Sequence, residues 1–200
     1  MLLKTYQPIE VYEMLMRDGV FICDPNNENC FTYGDVTGKL DHAYGWLIER
    51  MKETIPRPDG VTSPIWAWYK HLPFEETDWS GKNQKMAKII LQIPDDEVLL
   101  TDYDDWHNVL NGAPIVYQTD GMSDEEWEMR FDKYFRDQLL TEATWESVLL
   151  DIESAKLRSN VQATFWMLKK EYIRAVRFFE TNPTKKNGAS WEALFLAISP

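Results

Sequence analysis

Two short segments fix most of what this chain can become. In IWAWYK (Ile65–Lys70) and VQATFWML (residues 161–168) the side chains alternate in character with a period of two, the mark of a strand whose faces meet different surroundings. Read as strands, Ile65, Ala67 and Tyr69 oppose Trp66, Trp68 and Lys70, while Val161, Ala163, Phe165 and Met167 oppose Gln162, Thr164, Trp166 and Leu168. The aliphatic faces are ordinary core faces. The others combine indoles with an amide and a hydroxyl, a set that can stack a planar ligand and hydrogen-bond its edge. Core packing, with the amide and hydroxyl satisfying backbone groups, is the plainer use of the same residues.

Helical patterns surround these strands. MLLKTYQ is β-compatible, and Pro8 suits the first turn of a helix with Val11, Tyr12 and Leu15 inward and Gly19 as its stop. VFIC (residues 20–23) reads as a short strand, and residues 24–38 as an Asn-rich loop. Leu40, Ala43, Tyr44, Leu47, Ile48 and Met51 recur at helical spacing. KIILQI (88–93) predicts a strand ended by Pro94. Asp102 and Gly112 bracket a short helix, and Ser123 with Glu126 forms a capping box for a helix carrying Trp127, Phe131, Tyr134, Phe135 and Leu139. A further helix is expected to hold Trp145, Val148, Leu149 and Ile152, and YIRAVRFF a last strand. The expectation is an α+β single domain over residues 1–180, with small mixed or antiparallel sheets, a central cleft and several amphipathic helices, followed by a linker and apolar tail over 181–200.

Charge narrows the partners. A net charge of −12 and a pI near 4.7 lack the basic footprint that nucleic acid or an anionic membrane requires. A basic protein surface is compatible. No apolar run is long enough to span a bilayer and no secretory leader is recognisable, so a cytoplasmic location is expected. Cys23 and Cys30 are the only cysteines; two free thiols, with a local disulfide as the alternative, fit that compartment. Nine Trp, nine Tyr and nine Phe exceed what one core readily hides, so some are expected at a groove or interface.

Few residues suggest chemistry directly. Asp102, Asp104, Asp105 and His107 lie close in DYDDWH, yet acids at a helix start are explained by capping, and no metal is expected. His107 is either a buried histidine with a polar partner or a cleft residue. Neither a phosphate-binding glycine loop nor a Ser/His/Asp or Cys/His nucleophile arrangement stands out by spacing.

The segments TYQPIEVYEMLMRDGV, AYGWLIERM, SPIWAWYK, PDDEVLLTDYDDWHNVLN, TWESVL and VQATFWMLKKEYIRAVRFF together resemble, in order, a bacterial domain-of-unknown-function family, number thirty-eight forty-one. The resemblance spans residues 3–179. Members of that family follow IWAWY with a Lys/Arg-rich stretch, where this chain has HLPFEETDW.

The order of elements also resembles, more loosely, small ADP-ribosyltransferase-like folds, which hold NAD in a cleft between two sheets. That resemblance implies Thr5 or Gln7 at the nicotinamide ribose, Tyr69 stacked on the nicotinamide, and Gln162 at the catalytic Glu position. An amide cannot act as a base, though it can orient a hydroxyl. The expected function is therefore a nucleotide-binding cleft, NAD-type, with active or degenerate transferase chemistry. Gln162 and Tyr69 would be central, and Thr5, Gln7, Trp66, Trp68, His107, Thr164 and Trp166 would line the ligand. The alternative is a non-enzymatic acidic protein that binds and modulates another protein, of the phage anti-defence type. A metal-dependent hydrolase on Asp102, Asp104 and His107 is a third reading.

Overall fold

A computed structural model describes residues 1–23, 39–71 and 84–181. Strand β1 (Leu2–Pro8) runs straight into helix α1 (Ile9–Asp18), with Pro8 as the N-cap. Its missing N–H costs the helix nothing there. Val11 and Leu15 anchor α1, and Gly19 ends it at a φ of 81°, a left-handed conformation that glycine adopts without a Cβ clash. Strand β2 (Val20–Ile22) and helix α2 (Lys39–Thr54) follow. Ala43, Tyr44, Leu47 and Met51, at helical spacing, are almost fully buried.

Next come β3 (Ile65–Lys70), β4 (Lys85–Gln92), β5 (Leu99–Asp102) and α3 (Tyr103–Leu110). Helix α4 (Asp124–Phe135) begins with the expected capping box: the Ser123 hydroxyl accepts from the Glu126 N–H, and the Glu126 carboxylate accepts from the Ser123 N–H. Helix α5 (Gln138–Trp145), the two-residue β6 (Leu149–Leu150), α6 (Ile152–Leu157), β7 (Val161–Phe165), β8 (Met167–Lys169) and β9 (Ile173–Glu180) complete the described chain.

The fold is α+β. Seven strands form an antiparallel sheet in the order β6-β5-β7-β3-β1-β4-β9, and β2 pairs with β8 in a small second sheet. One face of the large sheet carries Leu3, Ile65, Ala67, Ile89, Leu100, Val161 and Ala163, and packs against Val11 and Leu15 of α1 and Ala155 of α6. The other face meets α2, α3 and Trp145 through Trp66, Trp106, Tyr44, Leu47 and Val148. Both faces of the central strands are thus buried, as their lack of exposed positions in β7 requires.

Three expectations need correction. VQATFWML is not one strand: it breaks at Trp166, and Leu168 joins Val161 and Phe165 in the first cluster while Met167 packs against the second. The chain turns over at Trp166, so the simple alternation ends there. The helix expected over Trp145–Ile152 is instead a helix end, a 3-10 turn, a strand and a new helix start. Asp151 caps that new helix through the Ser154 N–H. Leu139 belongs to α5 rather than α4. The loop over 24–38, with Cys30, and the tail over 182–200 lie outside the described residues. Cys23 is buried in the first cluster.

Candidate functional site

Strand register lines up a row of side chains across the second face of the sheet. Thr101 on β5 lies opposite Gln162 on β7, Gln162 opposite Trp68 on β3, and Trp68 opposite Lys4 on β1. Directly opposite residues in antiparallel strands point to the same side. Four strands at the usual spacing make this row about 14 Å long. A hydroxyl and an amide stand at one end, an indole in the middle and an ammonium at the other.

Helix α3 roofs the hydroxyl end. It follows β5 without a loop because the Asp102 carboxylate accepts from the Asp104 and Asp105 N–H groups at 3.0 and 3.1 Å, which caps the free helix start. The other Asp102 oxygen meets Arg158 at 3.3 Å. Tyr103, Trp106 and His107 share the helix face turned to the sheet. The Trp68 ring packs on Tyr103 at 5.0 Å, Tyr103 on His107 at 4.4 Å, and Trp66 on Trp106 at 5.4 Å.

The layer between α3 and the sheet is rich in unmet polar atoms. Gln162 Oε1, Thr101 Oγ1, Trp66 Nε1, Trp106 Nε1 and His107 Nε2 are all buried without a hydrogen-bond partner. Native interiors leave few such atoms, since each costs about 1–3 kcal/mol. His107 Nδ1 lies 2.7 Å from the Tyr103 carbonyl oxygen. A carbonyl only accepts, so Nδ1 carries the proton and Nε2 of the neutral ring presents a lone pair. The layer therefore offers two indole donors and at least two acceptors.

The other end of the row is cationic. Lys4 Nζ sits 2.7 Å from His71 Nε2, and the His71 ring packs on Trp68 at 5.3 Å. Burial, then the neighbouring Lys88 charge, lowers the Lys4 pKa. On the same face Tyr6 lies opposite Lys88, and Lys88 opposite Arg177. The Lys88 ammonium stands 5.9 Å from the Tyr6 ring centre. Burial pushes the Tyr6 and Tyr103 phenols up to about 12, so both are hydrogen-bond donors at neutral pH. A hollow of about 250 Å³, lined by Leu2, Lys4, Trp68, Tyr69, His71 and Ile90 among others, opens beside the Lys4–Trp68 pair. β1 and β3 pair there at a single register position.

Of the residues singled out from sequence, Trp66, Trp68, Gln162, Thr164 and His107 gather on this face. Thr164 leans on the Leu99 carbonyl at 3.4 Å. Trp166 belongs to the adjoining core, its indole N–H donating to the Ile55 carbonyl at 3.0 Å. Thr5 and Gln7 turn to the first face with Leu3. There the Thr5 hydroxyl donates to the Trp66 carbonyl and the Gln7 amide to the Thr5 oxygen. Tyr69 packs against the first cluster, whereas Gln162, between Val161 and Ala163 of that cluster, turns away from it. Tyr69, at the register shift between Trp68 and Lys70, also borders the hollow beside Lys4, which Gln162 does not line. Thr101, Lys4, His71 and Tyr103 were not singled out. Thr101 and Lys4 join the site through register, and pairing partners cannot be read from local sequence.

Asp102 is occupied by the helix cap and Arg158, and Asp105 Oδ2 accepts from the Tyr117 hydroxyl. Among the described residues no three His, Cys, Asp or Glu side chains stand together as a metal site, and no helix is long and apolar enough to cross a membrane.

The chain belongs to the family described as Domain of unknown function (DUF3841), which matches residues 2–174. That span contains the whole row from Lys4 to Gln162. No curated protein and no solved structure matches the chain.

Proposed function

We propose that this chain binds a planar, anionic small molecule of the nucleotide kind, NAD-type ligands included, on the second face of its large sheet. The observation that carries the reading is the row Thr101–Gln162–Trp68–Lys4. Its unmet buried polar atoms would receive a ring edge, Trp68 and Tyr103 its flat face, and the cations toward β1 and β4 its charge. A hollow of about 250 Å³ is smaller than the usual small-molecule site of roughly 300–1,000 Å³. It suits one ring or a phosphate rather than a whole dinucleotide, so a longer ligand would extend over the Tyr6–Lys88 side. The reading is one of binding. Gln162 supplies no base, so the reading includes no transferase step.

A thermal-shift screen against NAD, ADP-ribose and ATP tests it. A ligand at about a hundred times its dissociation constant adds roughly 2.7 kcal/mol, or about 5–10 °C for a chain of this length. The expected shift disappears in Gln162→Leu and Trp68→Leu. A uniform absence of shift would remove the reading.

The second reading, an acidic protein that binds and modulates another protein, is favoured by α4. This helix buries none of its side chains, yet Trp127, Phe131 and Phe135 stack along it at 5.2 and 5.8 Å. Met129 and, just beyond the helix, Leu139 are 67% and 78% exposed. Aromatic residues beside acids suit a partner with basic and apolar groups. Alanine at Phe131 and Phe135 would abolish capture of such a partner without touching nucleotide binding.

A further inference from the structure

The described lysines differ in what holds their ammonium groups: those of Lys70 and Lys170, for example, donate to the Lys156 and Met16 carbonyls. Lys52, Lys156 and Lys169 pair with Glu49, Glu153 and Glu97 at 2.6, 2.6 and 3.1 Å, as lysines do in an acidic protein. Lys4 does not: among the described residues no carboxylate forms an ion pair with it, and its Nζ is held by an imidazole, 2.7 Å from His71 Nε2. Trp68 and Ile90 flank it across the adjacent strands, and the hollow of about 250 Å³ opens onto it.

We propose that Lys4 is a reactive amine that captures a small planar aldehyde as an imine, with His71 accepting and returning the proton. The proposal shares the hollow with the nucleotide reading but does not rest on it. An N···N contact of this length needs one proton between two nitrogens, so the Lys4 ammonium donates to the His71 lone pair. Transfer of that proton leaves a neutral amine facing the hollow. Its electron pair attacks the carbonyl carbon, a C–N bond forms, and the oxygen takes up a proton to give a carbinolamine. The imidazolium then protonates the hydroxyl, water departs, and C=N forms as a protonated imine. The balance is R–CHO plus the Lys4 ammonium giving the iminium and one water, with no oxidant or reductant required.

The surroundings favour this chemistry. Burial and the Lys88 charge lower the Lys4 pKa, whereas the Glu153 hydrogen bond and charge raise that of Lys156, and the Tyr172 hydrogen bond, then Glu97, raises that of Lys169. The wall of the hollow supplied by Trp68, Ile90 and Leu2 suits an aromatic aldehyde.

Trapping on the native protein tests this. Benzaldehyde with sodium cyanoborohydride, followed by peptide mapping, converts each imine to a stable benzylamine. Fragment ions then distinguish Lys4 Nζ from the chain's terminal amine. The expected result is an adduct at Lys4 that forms severalfold faster than at Lys52 or Lys156. His71→Asn should slow only the Lys4 adduct, by at least about tenfold, within what a positioned acid–base group contributes. Equal labelling of all three lysines would overturn the proposal. So would a Lys4 rate that His71→Asn leaves unchanged, and neither result would bear on nucleotide binding.

Discussion

Gln162 lies directly across from Trp68 on β3 and from Thr101 on β5, and its amide oxygen, buried beside both, has no partner. An amide held this way between an indole and a hydroxyl is costly unless it receives something. Replacing it with Leu, of similar volume, removes an unsatisfied acceptor. The unliganded protein should therefore hold its stability or gain about 1 kcal/mol, as read by urea denaturation, while losing the nucleotide-induced thermal shift. A loss of several kcal/mol would instead mean that the amide makes essential protein contacts.

The start of α3 joins the sheet to the helix that covers Thr101 and Gln162. Asp102→Ala removes the acceptor for two N–H groups and the partner of Arg158. The expected cost is about 1–2 kcal/mol in chemical denaturation. Asp102→Asn retains the cap and should cost a fraction of that.

Asp105 gives the fold a pH dependence. Burial pushes its carboxyl above the ordinary 3.8; the Tyr117 hydrogen bond pulls it back and the Asp102 charge adds to the rise. A group with a raised folded-state pKa contributes stability that is complete below its unfolded value and lost as pH rises through the folded one. Asp105→Asn has no such loss. The stability of the variant relative to the parent should therefore increase from pH 4 upward through the raised value, measured by denaturation at several pH values. A difference that runs the other way would show that the fold uses the charged carboxylate.

Helix α4 is capped well and packed poorly. Its capping box is complete, yet none of its side chains is buried. Its amides should exchange with solvent far faster than those of β1 or β7. Ser123→Ala, worth about 1 kcal/mol, should speed that exchange further without lowering global stability.

Local features of this architecture were legible in the sequence: the α1 stop at Gly19, the α2 face, the Asp102 cap, the capping box and the alternation of IWAWYK each depend on residues a few positions apart. Long-range pairing was not. The register that brings Thr101 and Lys4 into line with Gln162 joins residues 61, 64 and 94 positions apart. The β3–β7 register also shifts between Trp68 and Lys70, around Tyr69. The turn at Trp166 interrupts an unbroken β-like pattern because its indole reaches the Ile55 carbonyl in the neighbouring core. Trp66, Trp68, Gln162 and Thr164, singled out from the alternation, share one face of the sheet, whereas Thr5 and Gln7 turn to the other, a difference that strand register decides and local sequence does not carry.

The indole N–H resonances provide the most direct test. Those of Trp127, Trp145 and Trp166 are bonded to the carbonyls of Val116, Ala113 and Ile55, while those of Trp66 and Trp106 are unpaired in the layer beneath α3. Titrating ¹⁵N-labelled protein with NAD, ADP-ribose or ATP should move the Trp66 and Trp106 signals and leave the three bonded ones in place. Unmoved signals at saturating nucleotide, or shifts spread evenly over all five, would contradict a nucleotide site on this face.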